Sequence, residues 1–257
     1  MAFLGKQIFE LYRRGLALFV LAPLILAIVM LPEFLQHIAE IQIGFFDSHA
    51  GAKLLANDPT RWAFGYAKLT GLLIGMLAAA RYWGTRARGR KWWQLGDIRW
   101  VTLILSMLLF VGLSAAVGLL EHRIPDLPYK TLYWGTSIAV LPVILPIVGA
   151  LLGDPRAHPL RDYWHDWRWL PLLVLLLGLA YLPGMAAHYG FHYLAFGAPR
   201  PIVWLLMILD PFAVGLIAAN VGAALSLTYE AARGAGAAAH PEPGAASDDE
   251  GGSFNPA

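Results

Sequence analysis

Hydrophobic positions along this chain gather into six long blocks, approximately residues 15–35, 63–82, 100–120, 132–152, 169–187 and 202–228. Each is close to the roughly 20 apolar residues that a helix needs to cross the hydrocarbon core of a bilayer. The pattern predicts an all-α, polytopic integral membrane bundle of six transmembrane helices over residues 1–233. A tail over 234–257, rich in Gly, Ala, Pro and acidic residues, is predicted to be disordered. A water-soluble fold with so many apolar blocks would need more core than 257 residues can enclose.

Within this frame the local pattern is informative. Ile8, Leu11 and Tyr12 share a face of a short amphipathic lead-in that ends at Arg13 and Arg14. The apolar run Leu16–Leu31, broken only by Pro23, reads as an uncleaved signal anchor. Beyond it, Ile38, Ile41 and Phe45 keep a helical spacing, either as an extension of the first helix or as a helix lying on the surface. Asn57-Asp58-Pro59 marks a turn, with Asp58 or Thr60 able to cap the second helix. The second helix carries Gly71-x3-Gly75-x3-Ala79, a ridge of small residues that lets two backbones approach. It serves packing within the chain, or homo-oligomerisation through Gly71 and Gly75. Ser114-x3-Gly118 is read as a second packing ridge, and Pro142 and Pro146 predict a kinked fourth helix.

Composition sharpens the class. Hydrophobic residues make up 58% and charged residues 14%, so few charges remain to be placed and their positions matter. The chain has no cysteine, which excludes disulfides and thiolate chemistry. The loop taken as Arg81–Arg99 holds Arg81, Arg86, Arg88, Arg90, Lys91 and Arg99 against Asp97 alone. The positive-inside rule puts it in the cytoplasm, and with six crossings both termini follow. On that topology 13 of the 19 Lys and Arg residues lie inside and 6 outside. Tryptophans fall near helix ends, as an interfacial belt requires. Basic residues so placed face a lipid bilayer rather than a nucleic acid.

Candidate chemistry falls on the outer side. Glu33, His37 and Glu40 lie at i, i+4 and i+7, within about a 60° arc of a helix. His188 and His192 are an i, i+4 pair if their stretch is helical, and Glu121-His122 ends the third helix. A glutamate with paired histidines has the donors for zinc or copper; the alternative is that these groups are solvated at helix ends. Asp210-Pro211 is either an intramembrane carboxylate, facing Asn220 or His37, or the N-cap of a sixth helix that starts at the surface. Leu182-Pro183-x4-His188 echoes Leu31-Pro32-x4-His37, which hints at a parallel internal repeat. There is no Gly-x-Ser-x-Gly elbow, P-loop or dinucleotide fingerprint, and no Ser-x3-His of the kind that intramembrane ceramidase-type hydrolases use. No cofactor is implied by a motif, and the missing signatures weigh against an enzyme.

The linker Pro159-Leu160-Arg161-Asp162-Tyr163-Trp164, between proline-scattered helices, resembles that of six-helix bacterial inner-membrane proteins similar to the membrane domain of glycerophosphoryl diester phosphodiesterases. It departs from their Ala-Leu-Arg-x-Ser-Trp-like segment by Asp-Tyr where a small residue such as Ser is expected. The resemblance implies a bacterial cytoplasmic membrane and no catalytic residues, because catalysis in that family belongs to a separate soluble domain. The expected function is therefore a non-enzymatic role in lipid handling or membrane organisation. The alternatives are a small transporter with an outer-facing polar cavity, and an outer-facing metal-dependent enzyme. Convergence of Glu33, His37, His188 and Asp210 would favour one of the alternatives.

Overall fold

Proline 23 divides the first apolar block into two helices, α1 (Ala2–Leu21) and α2 (Pro23–Gln42). Proline suits the first position of a helix, where its missing N–H is not needed, and it drives the residue before it out of helical geometry. Ala22 accordingly sits at φ −148°, ψ 60°. The expected span over 15–35 is thus corrected to Pro23–Gln42. The stretch after Leu31 is an extension of this helix, so Glu33, His37 and Glu40 lie inside it.

The computed structural model describes residues 2–86 and 88–239, with side-chain surroundings through residue 234. Among these residues every regular element is helical. After α2 come α3 (His49–Leu55), α4 (Pro59–Arg86), α5 (Trp100–Gly118), α6 (Asp126–Val140), α7 (Ile144–Leu151), α8 (Tyr163–Asp166), α9 (Leu170–Ala195) and α10 (Arg200–Ala239). Six segments are long and apolar enough to cross a membrane: α2, α4, α5, α6 with α7, α8 with α9, and α10. The predicted kink of the fourth is a tight turn at Leu141–Val143, around Pro142. Asp58 caps α4, accepting the Thr60 N–H at 2.8 Å with Pro59 in the first position.

α10 is the central post, packed by α9, α4, α2 and α1. Its inner half is lined by buried Ala218, Ala219, Ala223 and Ala224, whose small side chains let the neighbours close in. α1 lies along it. Leu11 and Leu18 are fully buried there, and Arg14 pairs with Glu230 at 2.8 Å. The Gly71–Gly75 ridge is filled by α2 of the same chain. A methyl at Gly71 would stand 2.6 Å from the Ile28 carbonyl oxygen, and one at Gly75 would overlap Val29. The Ser114–Gly118 ridge is not a packing ridge in this chain: α5 packs through its other faces, and nothing lies within 4 Å of a methyl placed at Gly118.

Arg81 is not in a loop. It is a buried residue of α4 that donates to the carbonyls of Trp92, Gln94 and Leu151 and to Asp97, which fastens the following loop to α7. Burial alone would raise the Asp97 pKa, but hydrogen bonds from Arg81 and Arg90 outweigh it and hold the carboxyl below its usual range. α10 continues to Ala239, beyond the boundary expected at residue 233. Residues 240–257 of the expected tail lie outside the described residues.

Candidate cation site

Three helices bring one polar cluster together, and each carries a proline beside its contribution: Pro32 before Glu33 in α2, Pro183 before His188 in α9, and Pro211 after Asp210 in α10. Each proline removes one backbone donor and frees the carbonyl four residues earlier. The Leu179 carbonyl, freed by Pro183, accepts the Tyr12 hydroxyl at 2.9 Å. The Ile28 carbonyl, freed by Pro32, is the one that Gly71 approaches. Both freed carbonyls are thus packed inside the bundle.

Asp210 is at the centre. α10 begins at Arg200 and runs through Asp210 without a break, so the N-cap reading is overturned and this fully buried carboxylate sits inside a long helix. His37 Nε2 lies 2.7 Å from its Oδ2, and His188 Nδ1 lies 2.8 Å from both of its oxygens. His192 Nε2 stands 3.6 Å from Oδ2. The two histidines of the Leu-Pro-x4-His echo therefore meet on one carboxylate. Asp210 faces His37 rather than Asn220, which lies further down α10 beside Gly15.

Around this centre, His37 Nδ1 lies 3.0 Å from Glu40 and its Nε2 lies 3.2 Å from Glu33. Glu40 accepts from Arg61 at 2.7 Å and from Gln36 at 3.3 Å. Lys68 Nζ lies 2.7 Å from Glu33. With Glu40 and Asp210 both ionised, each only accepts, so His37 between them donates from both ring nitrogens as an imidazolium. Three carboxylates (Glu33, Glu40, Asp210) are then matched by three cations (His37, Arg61, Lys68). Pairing of this kind is what makes the burial tolerable, since each lone charge at a helix centre costs about 2.5–3.5 kcal/mol on insertion scales.

Phe45 and Phe46 close the outer side. Phe46 meets the rings of His37 and His192 edge-on, at centroid distances of 6.4 and 5.5 Å, and Phe45 lies under the Arg61 guanidinium at 4.8 Å. Gly44, at φ 77°, supplies the left-handed turn that aims this loop inward, and the Gly197 N–H holds the Phe46 carbonyl at 2.8 Å. A cavity of about 180 Å³ opens beside Gln36, Arg61 and Lys68. Asp210 and the Arg14–Glu230 pair are about 30 Å apart along α10, roughly one hydrocarbon thickness.

All six residues singled out from the sequence converge here: Glu33, His37, Glu40, His188, His192 and Asp210. Glu121 and His122 do not. They are exposed at the end of α5. Arg61 and Lys68 were missed as partners. A signal existed: they are spaced i, i+7, as Glu40 and Glu33 are, and antiparallel α2 and α4 match the two pairs in register. Comparison with protein-family models, curated proteins and solved structures finds no match. The class this fold and site define is an integral membrane helix bundle with a buried, charge-balanced carboxylate–imidazole centre.

Proposed function

We propose that this protein is a small transporter of the bacterial cytoplasmic membrane, with the Asp210 centre as its outer station for a proton or metal cation. The basic Arg86–Arg99 face lies in the cytoplasm, as the positive-inside rule requires. One observation carries the reading: a fully buried carboxylate within a membrane-length helix is contacted by histidines from two other helices. An intramembrane ionisable group is a functional hypothesis by default, and imidazole is the side chain that exchanges protons near neutral pH. Side chains fill the centre, with Glu33, His37, Glu40 and Asp210 all buried, which suits an ion better than an organic substrate.

The test is vesicle flux. Purified protein in liposomes should dissipate an imposed pH gradient or take up a metal cation, read with an entrapped dye. Asp210→Asn should abolish the movement while eluting as a folded, monodisperse species in detergent. Flux equal to that of protein-free vesicles for wild type, or equal flux for wild type and Asp210→Asn, would refute the proposal.

A further inference from the structure

The geometry points to a divalent transition-metal site built from Glu33, His188, His192 and Asp210, of the kind that takes Zn²⁺. This inference rests on the cation-station reading and names its ligand class. The first support is distance. One donor atom from each of the four side chains lies within 4.8 Å of the others. Zn²⁺ with nitrogen and oxygen ligands at about 2.0–2.2 Å holds them about 3.3 Å apart in a tetrahedron. His188 Nδ1 and Asp210, at 2.8 Å, and His192 Nε2 and Asp210, at 3.6 Å, already bracket that spacing. The Glu33 donor lies within 4.8 Å of the other three.

The second support is independent of distance. Glu33 is completely buried, and neither of its oxygens accepts a well-directed hydrogen bond, although Oε1 lies 3.2 Å from His37 Nε2. Lys68 lies within ion-pair range of one of them, at 2.7 Å, but not in hydrogen-bonding direction. His192 Nε2 also lacks a hydrogen-bond partner. A buried acceptor left without a donor costs about 1–3 kcal/mol or more, so such groups call for an explanation. Unpartnered lone pairs on Glu33 and His192 are what a metal ion satisfies, and the proton held between His188 Nδ1 and Asp210 is the one it would displace.

The donor set selects the ion. Two imidazoles and two carboxylates suit a first-row transition metal; Mg²⁺ and Ca²⁺ take oxygen donors. The surroundings supply the orienting contacts that metal ligands need. His37 holds Asp210 through Oδ2, and Lys68 steadies Glu33. Glu40 is engaged by Arg61, Gln36 and His37 and stays outside the ligand set.

The experiment is metal titration of the full chain in nanodiscs after chelator treatment. Zn²⁺ should bind at one per chain by elemental analysis, and Co²⁺ should give the intense visible absorption of a tetrahedral site. Glu33→Gln and His192→Gln should each weaken binding by at least about tenfold and lose the Co²⁺ band, with melting temperature as the folding control. Glu121→Gln with His122→Gln should change neither. Binding at one per chain that survives Glu33→Gln and His192→Gln would overturn the inference, as would no binding by wild type. If Zn²⁺ does not bind but Asp210→Asn still abolishes proton flux, the metal site falls and the transport reading stands. If Zn²⁺ binds through these four residues and no cation moves across vesicles, the transport reading falls and the metal site stands.

Discussion

Lys68→Met should destabilise the bundle far more than Glu33→Gln, although the two changes remove opposite ends of one contact. The contact is 2.7 Å long; Glu33 is fully buried, and the Lys68 side chain is 19% exposed. In Glu33→Gln the lysine can swing into the adjoining cavity beside Gln36 and Trp62 and reach the headgroups, so the loss is about 1 kcal/mol or less. In Lys68→Met the carboxylate has no such exit. Its escape is to bind a proton, and for a carboxyl of ordinary pKa about 4.3 that costs about 3.7 kcal/mol at pH 7. This sets a ceiling, which His37, 3.2 Å away, lowers toward about 2–3 kcal/mol. The difference should shrink by up to about 1.4 kcal/mol for each pH unit of acidification. The double variant should recover most of the stability. The assay is reversible unfolding in mixed micelles, or melting temperature in detergent, for the four members of the cycle at pH 7 and pH 6. Equal losses in the two single variants, or no recovery in the double, would refute the description of Glu33 as a carboxylate that depends on Lys68.

Three further outcomes follow from other parts of the fold. Gly71→Ala should lower stability by about 1–2 kcal/mol, because its methyl meets the Ile28 carbonyl, whereas Gly178→Ala, with open space around it, should be neutral or stabilising; thermal melts of the two separate these cases. The pKa of Asp97, depressed by Arg81 and Arg90, implies stability that is full above about pH 4 and is lost as pH falls below it, so protease sensitivity between Arg88 and Arg99 should rise in acid and Asp97→Asn should flatten that rise. Asp58→Ala should cost about 0.5–2 kcal/mol through loss of the α4 cap, measured by the same melts.

The membrane class and the number of crossings were legible in the sequence because an apolar block of bilayer length has few other uses. The site was legible residue by residue but not as a site. Spacing placed Glu33, His37 and Glu40 on one face, and His188 and His192 on another. What periodicity cannot give is which faces of distant helices meet, so the joining of His37 and His188 on Asp210 had to come from the fold. The first helix was misjudged because apolarity is continuous through Pro23 while the backbone is not. Arg81 was assigned to a loop because an arginine at the end of an apolar block looks like a headgroup contact. Here it is pulled inward by the Trp92 and Gln94 carbonyls and the Asp97 carboxylate of the loop that follows, and by the Leu151 carbonyl 70 residues away.

The position of the charges also bears on how the centre could work. Counted with His37 as an imidazolium, the cluster is neutral, so any cation that arrives must displace positive charge. The groups able to yield it differ in kind. Arg61 cannot lose its proton, and Lys68 has an outward path through the adjoining opening. His37 can release a proton from the nitrogen that faces Asp210, which frees that carboxylate to take a new ligand while the His37–Glu40 contact persists. Binding of a dication by Glu33 and Asp210 and loss of the His37 proton would change the cluster by one net charge rather than two. That coupling needs no large motion at the centre, because His37, His188 and His192 are already within reach of the same carboxylate. With Phe46 against His37 and His192, and its carbonyl held by Gly197, the loop between α2 and α3 covers two of the three histidines that reach Asp210.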